Sequence, residues 1–430
     1  MLAILTRLSV LTLARLCGAG AVLLATLVIA RAFGADATAA YALVVSASGV
    51  LAVLMLAGFQ AFAQILTAEY AARGQNGFLH GLVRAGLRNV LVACVPVAGI
   101  AMLVLLAPDA VPGFGEGGLR SQAVLAVCLT APGVALALFN GAVLTGLQRP
   151  GEAQIADSLG RPVLILVFVS GLALVVPGVS AGWILVGLPI AVWSAAAVQG
   201  VFLYRALRRR PASVERETRR WWSMAPPWLT ISLIWEYVIE LHLLLASLVA
   251  APVEIALLHV CFRFRVLAGF GVRSIYSVFQ PKILAAQALD DRASASRLIA
   301  LTNGLSVGYA LVAFAGLWLV GPFFLSLFGP EFVDGLPLLL VLCGTFVLRA
   351  VFGPALSVLS GAGRQRDIVT ILILSLPLSA GLIFALYPLF GIVGAGIAYT
   401  VSTGFVAAAM WWTARRRLGV DCAVWGGRVG

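Results

Sequence analysis

Leu144-Thr145-Gly146-Leu147-Gln148-Arg149 returns 215 residues later as Leu359-Ser360-Gly361-Ala362-Gly363-Arg364. Each copy closes one apolar run and opens another. After each comes an apolar helix, a very short turn and a second helix that ends in arginines, Arg208-Arg209-Arg210 and Arg415-Arg416-Arg417. The stretch Ala68 to Arg88 is echoed in the same way by Ala285 to Arg297. The offset is half of the 430 residues, and self-similarity at a fixed offset marks a duplicated architecture.

The runs between these turns are too apolar for a water-soluble chain. Hydrophobic residues make up 62% and charged residues 11%, with a mean hydropathy of +1.05. Soluble domains carry about 45–50% apolar and about 25% charged residues. Surplus apolar surface on this scale must face lipid. A span needs about 20 apolar residues, and twelve stretches qualify: 8–31, 39–66, 87–107, 121–146, 159–177, 182–204, 226–249, 254–281, 298–320, 335–359, 368–388 and 391–413. The expectation is an all-α polytopic membrane protein of twelve transmembrane helices, the first of them uncleaved. It would comprise a six-helix bundle over 1–208, a cytoplasmic linker over 209–221, a second six-helix bundle over 222–417 and a tail over 418–430. An even number of helices per half makes the repeats parallel, related by an axis along the membrane normal.

Charge gives the orientation. On this count of helices, 22 of the 29 basic residues fall on one side, including the run from Arg205 to Arg220, and only Arg31 and Arg120 fall on the other. The positive side is cytoplasmic, so both termini are expected inside, in a multi-pass protein of the cell inner membrane. The net charge of +12 is explained by topology, and no basic soluble domain exists to bind nucleic acid. Cys17, Cys94, Cys128, Cys261, Cys343 and Cys422 form no metal-ligand or disulfide spacing. No phosphate-binding GxxxxGK[ST] loop is present. Asp290-Asp291 beside Arg292 reads as a solvated charge cluster. No cofactor or metal is expected.

Five basic residues fall well inside the spans, away from their ends: Arg15, Arg263, Arg265, Arg273 and Arg349. Glu236 and Glu240 are the acids that lie equally far from the span ends. A charge at the bilayer centre costs at least about 2.5–3.5 kcal/mol, so such residues should face a cavity or a partner. At 100° per residue, Arg265, Gly269, Arg273, Tyr276 and Gln280 share one stripe of the eighth helix, opposite Val266, Leu267, Phe270 and Ile275. Glu236 and Glu240 lie one turn apart on the seventh, and Gln60 and Gln64 form an i,i+4 pair on the second. Ion pairing between these arginines and glutamates, or snorkelling of Arg15 and Arg273, would give a purely structural account. Five cations against two anions still leave a surplus. Guanidinium binds phosphate oxygens bidentately, so a phosphate or pyrophosphate is the natural guest. Either glutamate is a candidate to bind H⁺ or Na⁺ and couple transport to a gradient.

Arg15-Leu16-Cys17-Gly18, Ile29-Ala30-Arg31-Ala32-Phe33-Gly34 and Tyr41-Ala42-Leu43 resemble the first helix, and the turn into the second, of a known group. Ala68-Glu69-Tyr70 with Arg73-Gly74, and the paired turns at Leu144 and Leu359, resemble its repeated signature. The group is the polysaccharide-transport, or oligosaccharide flippase, branch of the multidrug/oligosaccharidyl-lipid/polysaccharide exporter superfamily. Ala39-Ala40 replaces the glycine usual before Tyr41-Ala42. The resemblance implies flipping of polyprenyl-pyrophosphate-linked oligosaccharide by alternating access, for cell-surface or exopolysaccharide synthesis. Arg15, Arg265, Arg273 and Arg349 would hold the pyrophosphate. The protein would act as a monomer, alone or beside polysaccharide polymerase machinery.

Rival readings are a multidrug/toxin extrusion-type antiporter, a lipid II flippase and, in a different class, a membrane-embedded glycan polymerase or ligase. Cationic drugs would require carboxylates where the first helix offers Arg15. Lipid II flippases typically add two helices. An enzyme would need a large outer loop rich in acids or histidines, and the longest here, Ala107 to Arg120, carries only Asp109 and Glu116.

Overall fold

A computed structural model of the chain describes residues 2–106, 118–175, 182–210, 213–289 and 291–427. Asp109, Glu116, Asp290 and Arg428 lie outside the described residues. Within them the regular structure is helical throughout. The chain divides into two compact units, residues 1–244 and 245–430.

The first unit begins with α1 (Leu2–Leu56), which is two helical arms joined at Gly34 (φ 85°, ψ −178°). A positive φ at the junction is available to glycine without a Cβ penalty. After Ala57 and Gly58, both with positive φ, come α2 (Phe59–Ala72), α3 (Asn76–Leu106) and α4 (Gly118–Gly146). A short α5 (Pro150–Gln154) passes through a π-helical turn, Ile155–Gly160, into α6 (Arg161–Val175). Then follow α7 (Gly182–Leu207), α8 (Thr218–Ile231), a second π-turn, Ser232–Glu236, and α9 (Val238–Ala246), which crosses the unit boundary. Phe59, Phe62, Leu66, Phe139, Leu144 and Trp221 form one core, and Ile29, Tyr41, Val44 and Leu188 another. α3 turns Leu91, Val92, Val95 and Leu105 outward, which is the apolar face a lipid solvent requires.

The second unit contains α10 (Pro252–Ala268), α11 (Phe270–Ala288), α12 (Arg292–Ser326), α13 (Leu336–Phe352), α14 (Ala355–Gly361) and α15 (Gln365–Leu418). α15 is again two arms, joined at Gly391 (φ 56°, ψ −141°). A 3₁₀ turn, Pro330–Gly335, connects α12 to α13, and another, Val424–Gly427, closes the described chain.

Eight of these helices are long and apolar enough to cross a membrane, or up to ten if each bent pair is one span. The pairs are α8–α9, bent by 66°, and α10–α11, bent by 40°. Several sequence-based boundaries move. The fifth helix starts at Pro150 rather than near 159, and the third at Asn76 rather than 87. Polar residues had masked these turns, because hydropathy locates the hydrocarbon core and not the helix that extends beyond it.

The duplicated turn has one geometry in both copies. Arg149 N–H donates to Leu144 O at 2.9 Å, and Arg364 N–H to Leu359 O at 2.9 Å. Arg149 then pairs with Glu152 at 3.1 Å, and Arg364 with Asp367 at 3.8 Å.

The mid-chain linker folds onto the first unit. Glu215 N–H donates to Gly77 O at 3.0 Å, and Arg210 donates to Asn76 Oδ1 at 3.1 Å. Gly77 and Gly81 have no side chain because Glu215 occupies the space. Beyond it, Arg220 reaches Glu69 at 2.7 Å and Glu217 at 3.1 Å. Tyr70 Oη donates to Glu217 at 2.6 Å and accepts from the Trp221 indole at 2.9 Å. This clasp ties the start of α8 to the end of α2, so α8 packs as part of the first unit although it opens the second sequence repeat.

Candidate functional site

The cationic group is assembled within the second unit. α10 starts cleanly, with Pro252 at its first turn and the Glu254 carboxylate accepting Ala251 N–H at 2.9 Å. One face of the helix buries Arg265, which is 5% exposed. Its Nε donates to Thr345 Oγ1 of α13 at 3.0 Å. Its guanidinium carbon lies 5.2 Å from the Phe346 ring centre and 4.9 Å from that of Tyr399 on α15. Phe262, one turn earlier, packs edge-on to Tyr399 at 5.0 Å. A desolvated cation over aromatic faces gains about 2 kcal/mol, which offsets part of its burial.

The stripe expected along the eighth helix is not continuous. The helix breaks at Gly269, so Arg265 is buried on α10 while Arg273 is exposed on α11. The bend between the two helices is 40°, and at the break the Phe346 ring lies 3.1 Å from where a Cβ on Gly269 would stand. The break does not disperse the charge. Arg349, half-buried on α13, lies within electrostatic reach of Arg265, Arg273, Tyr276 and Tyr399. Two of the other four expected arginines thus lie within electrostatic reach of Arg349. Arg263 is held elsewhere, its Nε donating to His259 Nε2 at 3.3 Å. Gln280 is half-buried on α11, just before Pro281.

The remaining expected residues belong to the first unit. Arg15 is exposed on α1. Gln60 is buried and Gln64 exposed on α2, so this i,i+4 pair does not share an environment. Glu236 ends the π-turn and Glu240 lies beyond the 66° bend, so they stand on different segments rather than on one helical face. Both remain within electrostatic reach of Tyr237, as do Asp157 and Arg161. Asp157 belongs to the other π-turn and pairs with Arg161 at 3.4 Å. Two glycines of α1 permit this assembly. Gly18 makes room for the Ser158 carbonyl, and a Cβ on Gly49 would lie 2.7 Å from the Tyr237 ring. π-Turns inserted in α-helices frequently mark functional sites.

The sequence reading did not find Asp157, because a start near 159 left it in a loop. The π-turn that draws it inward has no signature in hydropathy. Thr345, Phe346 and Tyr399 were also missed, since an aromatic in an apolar helix carries no mark of what it faces.

A fold of long apolar helices, several of them bent or broken, defines a multi-pass membrane protein. The chain has the fold of the MATE transporters of the MOP superfamily. It resembles an inward-facing multidrug resistance MATE family transporter with a TM-score of 0.76 and 14% identity, over 95% of this chain and 98% of that one. An outward-facing multidrug resistance MATE transporter matches with a TM-score of 0.62 and 16% identity, over 95% and 94%. A MOP superfamily transporter from Pyrococcus furiosus, whose reversed binding-pocket polarity suggests a different function, matches at 0.57 and 15%, over 95% and 96%. No protein-family model matches the chain. No curated protein is similar to it in sequence.

Proposed function

We propose that this protein is a flippase that moves a polyprenyl-pyrophosphate-linked oligosaccharide across the inner membrane by alternating access. The observation that carries this reading is that Arg349 stands within electrostatic reach of both Arg265 and Arg273 in the second unit. Guanidinium groups match phosphate oxygens in charge and geometry, and the lipid tail of such a substrate stays in the bilayer. The reverse polarity of the binding pocket in the Pyrococcus furiosus neighbour, which suggests a different function for that protein, supports considering a cargo other than drugs here. Counting α1 and α15 as two arms each brings the spans to twelve, and in this reading they fall six to each repeat with both termini cytoplasmic. The pairing of Asp367 with both Arg364 and Arg417, at 3.8 Å each, fits that topology by putting two arginine-bearing segments at one end of the second unit. In this reading the protein is not an enzyme and needs no cofactor. Asp157, Glu236 and Glu240 would carry the coupling H⁺ or Na⁺.

A second reading is a multidrug antiporter. The folds of the neighbours favour it, and the acidic group around Tyr237 is the observation it rests on. One experiment separates the two. Purified protein in proteoliposomes is given a fluorescent polyprenyl-pyrophosphate sugar or a cationic dye under an ion gradient. Movement of the lipid-linked sugar that disappears in Arg349→Ala supports the flippase. Dye transport with no lipid flipping rejects it in favour of the exporter.

A further inference from the structure

The end of α15 is followed by a segment that turns back into the second unit. Gly419 adopts the left-handed conformation (φ 67°) that ends the helix. Asp421 then accepts from the Trp411 indole at 2.7 Å and from Ala423 N–H at 3.1 Å, and lies 3.7 Å from Arg415. Cys422 and Ala423 are buried. The Cys422 carbonyl accepts from Asn303 Nδ2 of α12 at 2.7 Å. It also occupies the space a side chain at Gly353 would fill, at the end of α13. Trp425 caps the arrangement, 5.5 Å from Trp411 and 6.0 Å from Phe352 between ring centres.

What lies behind this segment is polar. Asn303 and Ser306 are buried on α12, and the Tyr276 hydroxyl of α11 faces Ser306. Tyr276 is also within electrostatic reach of both Arg349 and Cys422. Gly353 N–H donates to Arg349 O at 3.1 Å, so Cys422 docks one helical turn from Arg349. Buried polar groups with a water route would be hydrated.

We propose that residues 419–427 are a strap that seals the polar interior of the second unit at the end where α15 terminates. Release of the strap admits water to Asn303, Ser306 and Tyr276. The seat is made to fit: a glycine where the Cys422 carbonyl enters, an asparagine amide to hold that carbonyl, and two aromatic rings for Trp425. Docking at an end of α13 lets the strap respond to movement of the helix that carries Arg349.

The test needs no substrate and so stands apart from the assignment of cargo. Full-length protein in proteoliposomes, with Cys17→Ser and Cys94→Ser, is treated with a water-soluble maleimide, and labelled peptides are quantified by mass spectrometry. Gly353→Ala should raise Cys422 labelling at least about tenfold by evicting its carbonyl. Ser306→Cys should stay protected in the full chain and become labelled at least about tenfold faster when the chain is ended at Leu418. Equal Ser306→Cys labelling with and without the strap would overturn the seal. Unchanged Cys422 protection in Gly353→Ala would overturn the seat.

Discussion

Gln148 and Gly363 occupy the same position in two copies of one turn, with φ of 62° and 71°. In each copy the next residue is an arginine whose N–H closes the turn on a leucine carbonyl. A glycine fills the left-handed position in one repeat, and a residue with a Cβ strains it in the other.

Gln148→Gly should therefore stabilise the protein by about 0.5–1 kcal/mol, and Gly363→Ala should destabilise it by about 1 kcal/mol. Nothing lies within 4 Å of a Cβ at Gly363, so the cost there is conformational. Thermal unfolding of the purified protein in detergent measures both. A midpoint raised by Gly363→Ala would contradict the geometry.

Arg265 is held by ring faces as well as by Thr345, which makes its shape matter along with its charge. Arg265→Lys should be nearly as damaging as Arg265→Ala, each lowering transport at least tenfold, equivalent to about 1.4 kcal/mol. Tyr399→Phe keeps the ring and should retain transport, whereas Tyr399→Ala should not. Initial transport rates in proteoliposomes, normalised to folded protein, decide this. Full activity of Arg265→Lys would show that any cation suffices.

The acids around Tyr237 should differ from the arginines in what they affect. Asp157→Asn, Glu236→Gln and Glu240→Gln should leave substrate binding intact and remove the dependence of transport on an imposed ion gradient. Transport by each variant is compared with and without the gradient. Unchanged gradient dependence in all three would remove ion coupling from this group.

The clasp between α2 and α8 should give stability a pH dependence of known sign. Burial, with the Glu217 carboxylate beside it, raises the Tyr70 hydroxyl from 10.0 to about 12. The folded protein keeps that proton while the unfolded chain loses it. The contribution of Tyr70 is thus complete below pH 10 and declines as pH rises towards 12. The hydrogen bond from Arg220 lowers Glu69 below 4.5, so its contribution is present above that value and is lost as pH falls through the lowered one. Midpoints measured at pH 9 to 12 should fall less steeply in Tyr70→Phe than in the native chain. An identical slope would exclude Tyr70 as the titrating group.

The apolar helices of the protein were legible because they are written in bulk chemistry. Apolar length marks the spans, and the repeated turn is a local hydrogen-bonded unit whose residues are adjacent in sequence. Arg265, Arg273 and Arg349 were legible for the same reason, since a charge in an apolar run is conspicuous. Their partners were not. The stripe drawn through Arg265 and Arg273 needs an unbroken helix, whereas α10 and α11 meet at a 40° bend where the Phe346 ring of another helix packs beside Gly269.

Sequence alone thus determined the solvent of this protein, its helical content and its paired turns at Leu144 and Leu359, which follow from composition and from contacts between near neighbours. Tertiary structure alone decided that Asp157 joins Glu236 and Glu240 around Tyr237, that Arg265 is pinned between Phe346 and Tyr399, and that α8 packs with the first unit. These depend on π-turns, helix breaks and glycine gaps, where one helix is shaped by the surface of another, and no local pattern of residues encodes the shape of a distant neighbour.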